Sequence, residues 1–559
     1  MQTRKMQTSQ SPATKNLLTQ NQRNKFLKDR TMQRNLIILT ALTLILSSSQ
    51  DCSANPLKAK TKVLTANTVG GKSVGGKSVG GKSIGQNPVG ENPATEKAIE
   101  DWRKKAPSLP PPRPFNAPKV ESYKLENGLE VQLVEDHRFP FLSANIGFRT
   151  GSSQEPKDKP GIADMTSTLL TEGTDSKKSK DIASEADFIG GTVKALTDYD
   201  YSILSGSCLS AYQVRMFDLM TDVLLHPSFP EDELSLQKVN QIQELTMKRS
   251  NPDFLMEERF SKVLFGNHPY ALVSPTEADI NKLKRDDIRE YWAKHYLPNN
   301  AVLIIVGDFN PATIKKDIEA HFGSQWKPDT VPVVEEAAMP DQKGRRIYLV
   351  DRPGSVQTSL RVGNRGIKRN DSDYFSMLVA NQILGGTAHA RLFLNIREAK
   401  GYTYGAYSKL APRKEPGSFF AKADVRTEVT NPSLQEFLYE LERLRTTKVK
   451  DEEIKAAKNY LAGSFQLGLE TQGGLAQRLL EAKLFDLPTD YLETYADKVM
   501  AVNVDDVRAA AGKLINTDNL VICVVGDARK IKSDLELFAP VSVYDMQGLS
   551  QEATAKEMN

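Results

Sequence analysis

The sequence predicts an α+β protein made of two duplicated domains, each a mostly antiparallel sheet with helices packed on it. Three observations carry this reading. The segment Asn300-Ala-Val-Leu-Ile-Ile-Val-Gly-Asp308 recurs as Asn519-Leu-Val-Ile-Cys-Val-Val-Gly-Asp527. Around both copies the pattern is the same: a polar helix precedes the apolar run, at Arg285 to His295 and at Val504 to Leu514, and a helix-like segment follows it. The openings of the halves also correspond, Leu133-Val-Glu-Asp136 against Leu349-Val-Asp-Arg352. A period of roughly 210 residues is a duplicated domain, since solenoid repeats are several times shorter.

With 559 residues, 39% apolar and 26% charged, the chain has the composition of a globular protein with more than one core. Leu129 to Val134 alternates behind the turn Glu126-Asn127-Gly128 and predicts a strand, and Leu142 to Phe148 predicts a second. Helices are expected at Gly161 to Leu170, Ile182 to Ile189, Ala211 to Leu225 and Glu231 to Lys248. Residues 119–328 form the first expected domain, and the Pro/Glu-rich stretch Lys327 to Lys343 joins it to the second, residues 344–545. There Ala388 to Lys400 reads as a helix stopped by Gly401, followed by a strand over Tyr402 to Lys409. Residues 546–559 read as a disordered tail.

Residues 1–54 read as a leader. The apolar run Leu36 to Leu46 lies behind Arg34 and ahead of a polar stretch and a small-x-small pattern ending at Ala54. That run is too short to span a bilayer and predicts a secretory signal peptide, hence a periplasmic or secreted protein. A mitochondrial presequence is the alternative, because Met1 to Lys28 is basic and free of acids. The leader carries eight Lys/Arg against Asp29 and Asp51, so its removal turns the formal charge of +4 into about −2, and nothing points to nucleic acid.

Residues 55–118 read as linker, with the near-repeat VGGKSVGGKSVGGKSIGQ and a Pro-rich stretch around Pro107 to Pro118. Gly71 and Gly76-Lys77-Ser78 satisfy the phosphate-loop spacing, but no strand precedes them and no helix follows, so nucleotide binding is not expected. Outside the leader only Cys208 and Cys523 remain, each in an apolar, β-rich run, which excludes a disulfide framework or a cysteine zinc site. The six histidines (137, 226, 268, 295, 321 and 389) include no two within five residues, so no helix presents a histidine pair to a metal.

Several motifs stand in a recognisable frame: Glu126-Asn-Gly-Leu129, Gly161-Ile-Ala163 with Gly173-Thr174, Asn251-Pro252-Asp253, His295-Tyr-Leu-Pro-Asn299 and the two Val-Gly-Asp strands. Over about residues 119 to 545 the chain resembles the pitrilysin/insulinase family, which includes mitochondrial processing peptidase. Active members hold H-x-x-E-H inside that glycine frame, with the two histidines binding zinc and the glutamate acting as general base. Here the three positions read Asp164, Ser167 and Thr168, and Glu244 falls about where the third zinc ligand lies. The resemblance therefore implies no metal in this chain. Asp164 with Glu244 leaves an oxygen-ligand site as an alternative, against a hydrogen-bonded Asp and a solvated Glu.

The second half carries a positive signal. Leu384-Gly385-Gly386, Arg391-Leu-Phe393, Arg397-Glu398, Gly401 and Tyr404 resemble the family segment whose Arg and Tyr, seven residues apart, complete the active site. Arg397 and Tyr404 have that spacing, and on this resemblance they bind a substrate carbonyl and its oxyanion. The plainer alternative is an Arg complementing a helix C-terminus and a Tyr packed in a sheet. Gly385 and Gly386 resemble the substrate-contacting glycine loop of the non-zinc half of processing peptidases, although a simple turn explains them too.

The resemblance implies a zinc-free subunit of a heterodimeric endopeptidase that supplies Arg397 and Tyr404 to a homologous zinc-bearing partner acting on peptides or unfolded proteins. A non-enzymatic scaffold or peptide-binding member of the same family is the alternative.

Overall fold

Strand β6 (Ala301–Gly307) is buried at every position, as its uninterrupted apolar run requires, because it pairs on both sides and both its faces are covered. It pairs parallel with β2 (Glu130–Glu135) and antiparallel with β3 (Phe141–Phe148), beyond which lie β5 (Ser202–Leu209) and the edge strand β4 (Thr192–Thr197). The computed structural model describes residues 117–551 apart from residue 336. The expected leader, nearly all of the linker with its glycine repeat, and the last eight residues lie outside the described residues.

The second half repeats this order. β7 (Arg346–Asp351), β8 (Gln357–Arg365), β9 (Thr403–Ala411), β10 (Ser418–Arg426) and β11 (Val521–Gly526) lie in the order β7-β11-β8-β10-β9, which matches β2-β6-β3-β5-β4 strand for strand. In both, the first and last strands of the repeat are parallel and the other neighbours antiparallel. The two Val-Gly-Asp segments are the equivalent strands β6 and β11. The sixth strand differs in origin: β1 (Glu121–Lys124) precedes the first repeat and pairs antiparallel with β2, whereas β12 (Val541–Tyr544) follows the second and pairs parallel with β7. The fold is α+β with two mixed, mainly antiparallel sheets.

Local chemistry explains the boundaries. Gly128 takes φ +95°, and a Cβ there would meet Asn299 at 2.9 Å, so the turn before β2 needs glycine. Beside it, the Asn127 amide donates to the carbonyls of Phe322, Gly323 and Trp326, closing the end of the helix Pro311–Phe322. Asn251-Pro252 opens the helix Pro252–Phe265, with the Asn251 side chain accepting from Asp253 N, and does not close the preceding helix, which ends at Arg249.

Each half lends a helix to the other half's sheet. Leu255, Met256, Phe260 and Leu264 of the helix Pro252–Phe265 pack against Val350, Phe420, Val521 and Val525 of the second sheet. In return the helix Gln472–Leu484 places Leu475, Leu479, Leu480 and Leu484 in one core with Val134, Val302, Ile304 and Val306 of the first sheet. A Cβ on Gly147 of β3 would lie 2.7 Å from Leu480 Cδ1, so glycine there lets the helix lie close on the strand. Sequence periodicity shows that such helices have an apolar face, but not which sheet it covers.

Candidate functional site

The helix Ile162–Leu170 starts at Gly161, and the backbone N–H groups of Gly161 and Ala163 donate to the buried Glu155 carboxyl at 2.8 and 2.9 Å. Burial pushes that carboxyl up to about 7, outweighing the two donors that favour its ionised form. Asp164 sits in the first turn with Oδ2 accepting from the Gln241 amide at 3.0 Å. Burial, and next the Glu244 carboxylate nearby, raise its pKa, while Lys248 opposes them. Ser167 is buried, donating to the Asp164 carbonyl and accepting from Thr197 Oγ1. Glu244 pairs with Lys248 Nζ at 2.8 Å on an exposed face.

Glu155, Asp164, Gln241, Glu244 and Lys248 line a cavity of about 330 Å³, and Ser167 lies outside its lining. They do not fit zinc: no imidazole is present, the carboxylate at 164 is held by an amide, and an ammonium sits on Glu244. Nor do Asp164 and Glu244 fit an oxygen-ligand cation, because one of them already carries a lysine counter-charge and too few oxygens converge.

In the second half a β-bulge sets the geometry. Ala406 pairs with Ala423, but the next pair is Thr403 with Val425, so Tyr404 and Gly405 together oppose Asp424. Strict alternation places Tyr404 on the face of Ala406, which is buried; the extra residue turns it to the face of Tyr407 and Lys409 instead. Tyr404 is accordingly 87% exposed and lines a cavity of about 420 Å³ with Gln357, Tyr407, Lys422 and Asp253. Thr403 Oγ1 holds the bulge, donating to the Asp424 carbonyl at 2.6 Å and accepting from Gly405 N at 3.1 Å.

Arg397 lies in a π-helical turn, Phe393–Ala399, that replaces most of the expected helix. Lys400 N bonds Asn395 O, Gly401 N bonds Arg397 O, and Gly401 ends the turn at φ +66°. The Arg397 guanidinium rests 4.6 Å from the Phe393 ring centroid and 3.6 Å from Glu398. No hydrogen bond joins it to Tyr404, and it does not line the tyrosine's cavity. Gly385 and Gly386 end the helix Tyr374–Gly385, and Gly385 is buried with its Cα against β9: a Cβ would lie 2.2 Å from Ser408 N.

Sequence reading missed the charged frame of this cleft. Lys422 Nζ meets Asp253 at 2.7 Å, and the buried Arg361 pairs with Glu257 and lies over the Phe420 ring. Both pairs tie the start of the exchanged helix to the second sheet. The alternation in Tyr404 to Lys409 was the available signal for Tyr407 and Lys409 on the outer face. Successive cavities share lining residues from Asp164 to Tyr404: Tyr199 joins the first to a second, Lys409 the second to a third, and Tyr407 the third to the tyrosine cleft.

Two sheets of matching strand order that exchange helices, with an exposed tyrosine on a bulge in the second, define a duplicated α+β protein. The comparisons give its family. Residues 130–274 match the profile described as insulinase (peptidase family M16), and residues 282–461 the profile described as peptidase M16 inactive domain. The chain is 25% identical over 403 residues to a Bacillus subtilis protein described as uncharacterized zinc protease YmxG, covering 71% of this chain and 96% of that one. It is 28% identical over 378 residues to a Streptomyces coelicolor protein described as an uncharacterized zinc protease, covering 66% and 82%. Among solved structures, a peptidase M16 inactive domain from Pseudomonas fluorescens superposes with a TM-score of 0.68 at 28% identity, covering 73% of this chain and 98% of that one. A protease from Helicobacter pylori gives 0.69 at 21% identity, covering 73% and 100%. The chain belongs to the pitrilysin/insulinase peptidase family.

Proposed function

We propose that this chain is the zinc-free half of a two-subunit zinc endopeptidase, supplying Tyr404 and Arg397 to a homologous partner that carries zinc, the attacking water and the general base. The observation that carries the reading is the bulge: it costs β9 a regular pair and turns a tyrosine hydroxyl, with no hydrogen-bond partner among the described residues, into a cleft. The match of residues 282–461 to the M16 inactive-domain profile supports it.

The substrate is a peptide or unfolded protein. The Tyr404 hydroxyl donates to the scissile carbonyl and more strongly to the oxyanion that forms on it, and Arg397 grips a neighbouring carbonyl after leaving the Phe393 ring. Gly385 is buried in packing against β9, and Gly386 beside it, half-buried, is the member of the pair open to a substrate contact. The complex acts in the periplasm or outside the cell once the leader is removed, with a mitochondrial location as the alternative. No helix among the described residues is long and apolar enough to cross a membrane.

The resting place of Arg397, stacked on Phe393 and unlinked to Tyr404, favours a second reading: a peptide-binding scaffold of the same family. Reconstitution separates the two. Mixing this chain with a zinc-bearing homologue from the same genome should give peptide cleavage that neither shows alone. A stable pair in which cleavage equals that of the homologue alone makes this chain a scaffold.

A further inference from the structure

The cleft between the β4–β5 turn and the end of β9 has a volume of about 400 Å³ and is framed by aromatic rings and cations. We infer that it binds a peptide carboxylate, from a free C-terminus or from an Asp or Glu side chain. This rests on the reading that the chain handles peptides, and it names a feature of the peptide that Tyr404 and Arg397 do not recognise.

Three cations line the cleft, and two of them, Arg369 and Lys409, have a donor to spare that reaches it. Arg369 is only 5% exposed, yet it is a wall residue. Its Nε donates to Glu481 at 3.0 Å, its Nη2 to the Tyr491 hydroxyl at 2.6 Å, and its plane stacks on Tyr374 at 4.2 Å. Nη1 has no partner among the described residues and is not sealed off, unlike the orphaned Nη1 atoms of Arg391 and Arg413. Arg413 lies 3.6 Å over the Tyr199 ring, with its Nη1 buried and unpaired. Lys409, exposed on β9, has no ion-pair partner among the described residues.

Of the acids nearby, Glu481 already pairs with Arg369 Nε, and Asp200, which faces Arg413, already accepts from the Tyr270 hydroxyl and Lys414 N. Both Glu481 oxygens are taken, one by Arg369 and the other by Arg478 at 2.7 Å, and Asp198 accepts from the backbone N–H of Tyr199. A buried guanidinium N–H without an acceptor is costly, and a carboxylate entering the cleft satisfies it with charge-assisted bonds in the plane a guanidinium prefers. Tyr201 and Phe485, edge to face at 6.0 Å, give the apolar part of the residue a surface to lie on.

The test is binding of fluorescently labelled short peptides to the full chain by anisotropy. One ends in a free phenylalanine, the second is its C-terminal amide, and the third is an amide with an internal glutamate. The free acid should bind at least about tenfold more tightly than the plain amide, and Lys409→Gln, an exposed change, should remove most of that difference. Arg413→Gln should do the same if its fold is intact by circular dichroism. If the glutamate peptide matches the free acid, the carboxylate is a side chain and the inference stands with its source identified. Equal binding of all three peptides overturns the inference while leaving peptide handling intact. No binding of any peptide removes both. Displacement by inorganic phosphate at lower concentration than by acetate marks a phosphate site and also overturns it.

Discussion

Asp200 accepts a 2.5 Å hydrogen bond from the buried Tyr270 hydroxyl, and the pair reaches across to the other half of the molecule. Lys414 N donates to Asp200 at 2.9 Å and Glu415 N to the Tyr270 oxygen at 3.1 Å, so the β9–β10 turn is fastened to the first half by two side chains. Tyr270→Phe removes one acceptor and one donor in a closed site and leaves Glu415 N without its bond. It should cost about 1–3 kcal/mol, read as a lower midpoint in urea at unchanged slope. An unchanged midpoint means the turn is not held there.

Gly385→Ala brings a Cβ to 2.2 Å from the backbone nitrogen of Ser408, which cannot move without shifting β9. It should lower stability by roughly 1–3 kcal/mol, an overpacking cost. A variant with unchanged melting temperature but a raised KM in the reconstituted complex would assign Gly385 to substrate alone.

Glu155 gives the pH dependence its sign. Its folded pKa, about 7, lies above the ordinary 4.5, so the native chain holds the extra proton between those values. Stability therefore falls as pH rises through that window and levels off above it, by on the order of 3 kcal/mol at most. Glu155→Gln does not titrate. The stability of wild type relative to this variant should drop between about pH 5 and about pH 8, measured by thermal unfolding. A difference that stays constant or grows contradicts the assignment.

How far the sequence reveals this molecule depends on the range of the interaction. The Val-Gly-Asp repeat located β6 and β11 because a doubly covered strand must be apolar throughout, and the helices Arg285–His295 and Val504–Leu514 stand where expected because their pattern is local. Position 164 could be read as Asp directly. The helix expected over Ala388 to Lys400 begins at Arg391 and runs as a π-helix over Phe393–Ala399, a change that composition does not signal. Neither the helix exchange nor the β9 bulge was legible: the first is decided by a partner in the other half, Leu480 with Gly147, and the second by the register between neighbouring strands, Tyr404 with Asp424. The cations Arg369, Lys409 and Arg413 meet at one cleft for the same reason.

The central claim is that Tyr404 acts in catalysis, and steady-state cleavage by the reconstituted heterodimer tests it most directly. If its hydroxyl stabilises the oxyanion, the bond strengthens in the transition state, so Tyr404→Phe should lower kcat more than it raises KM. Loss of one such donor costs a factor of about 10² to 10³. Because Tyr404 is exposed, the change should leave folding and assembly unaltered, checked by size-exclusion chromatography. A kcat lowered about 10² to 10³-fold in an intact heterodimer is the predicted result. An intact heterodimer that cleaves within about twofold of wild type would contradict the account and leave the chain a scaffold.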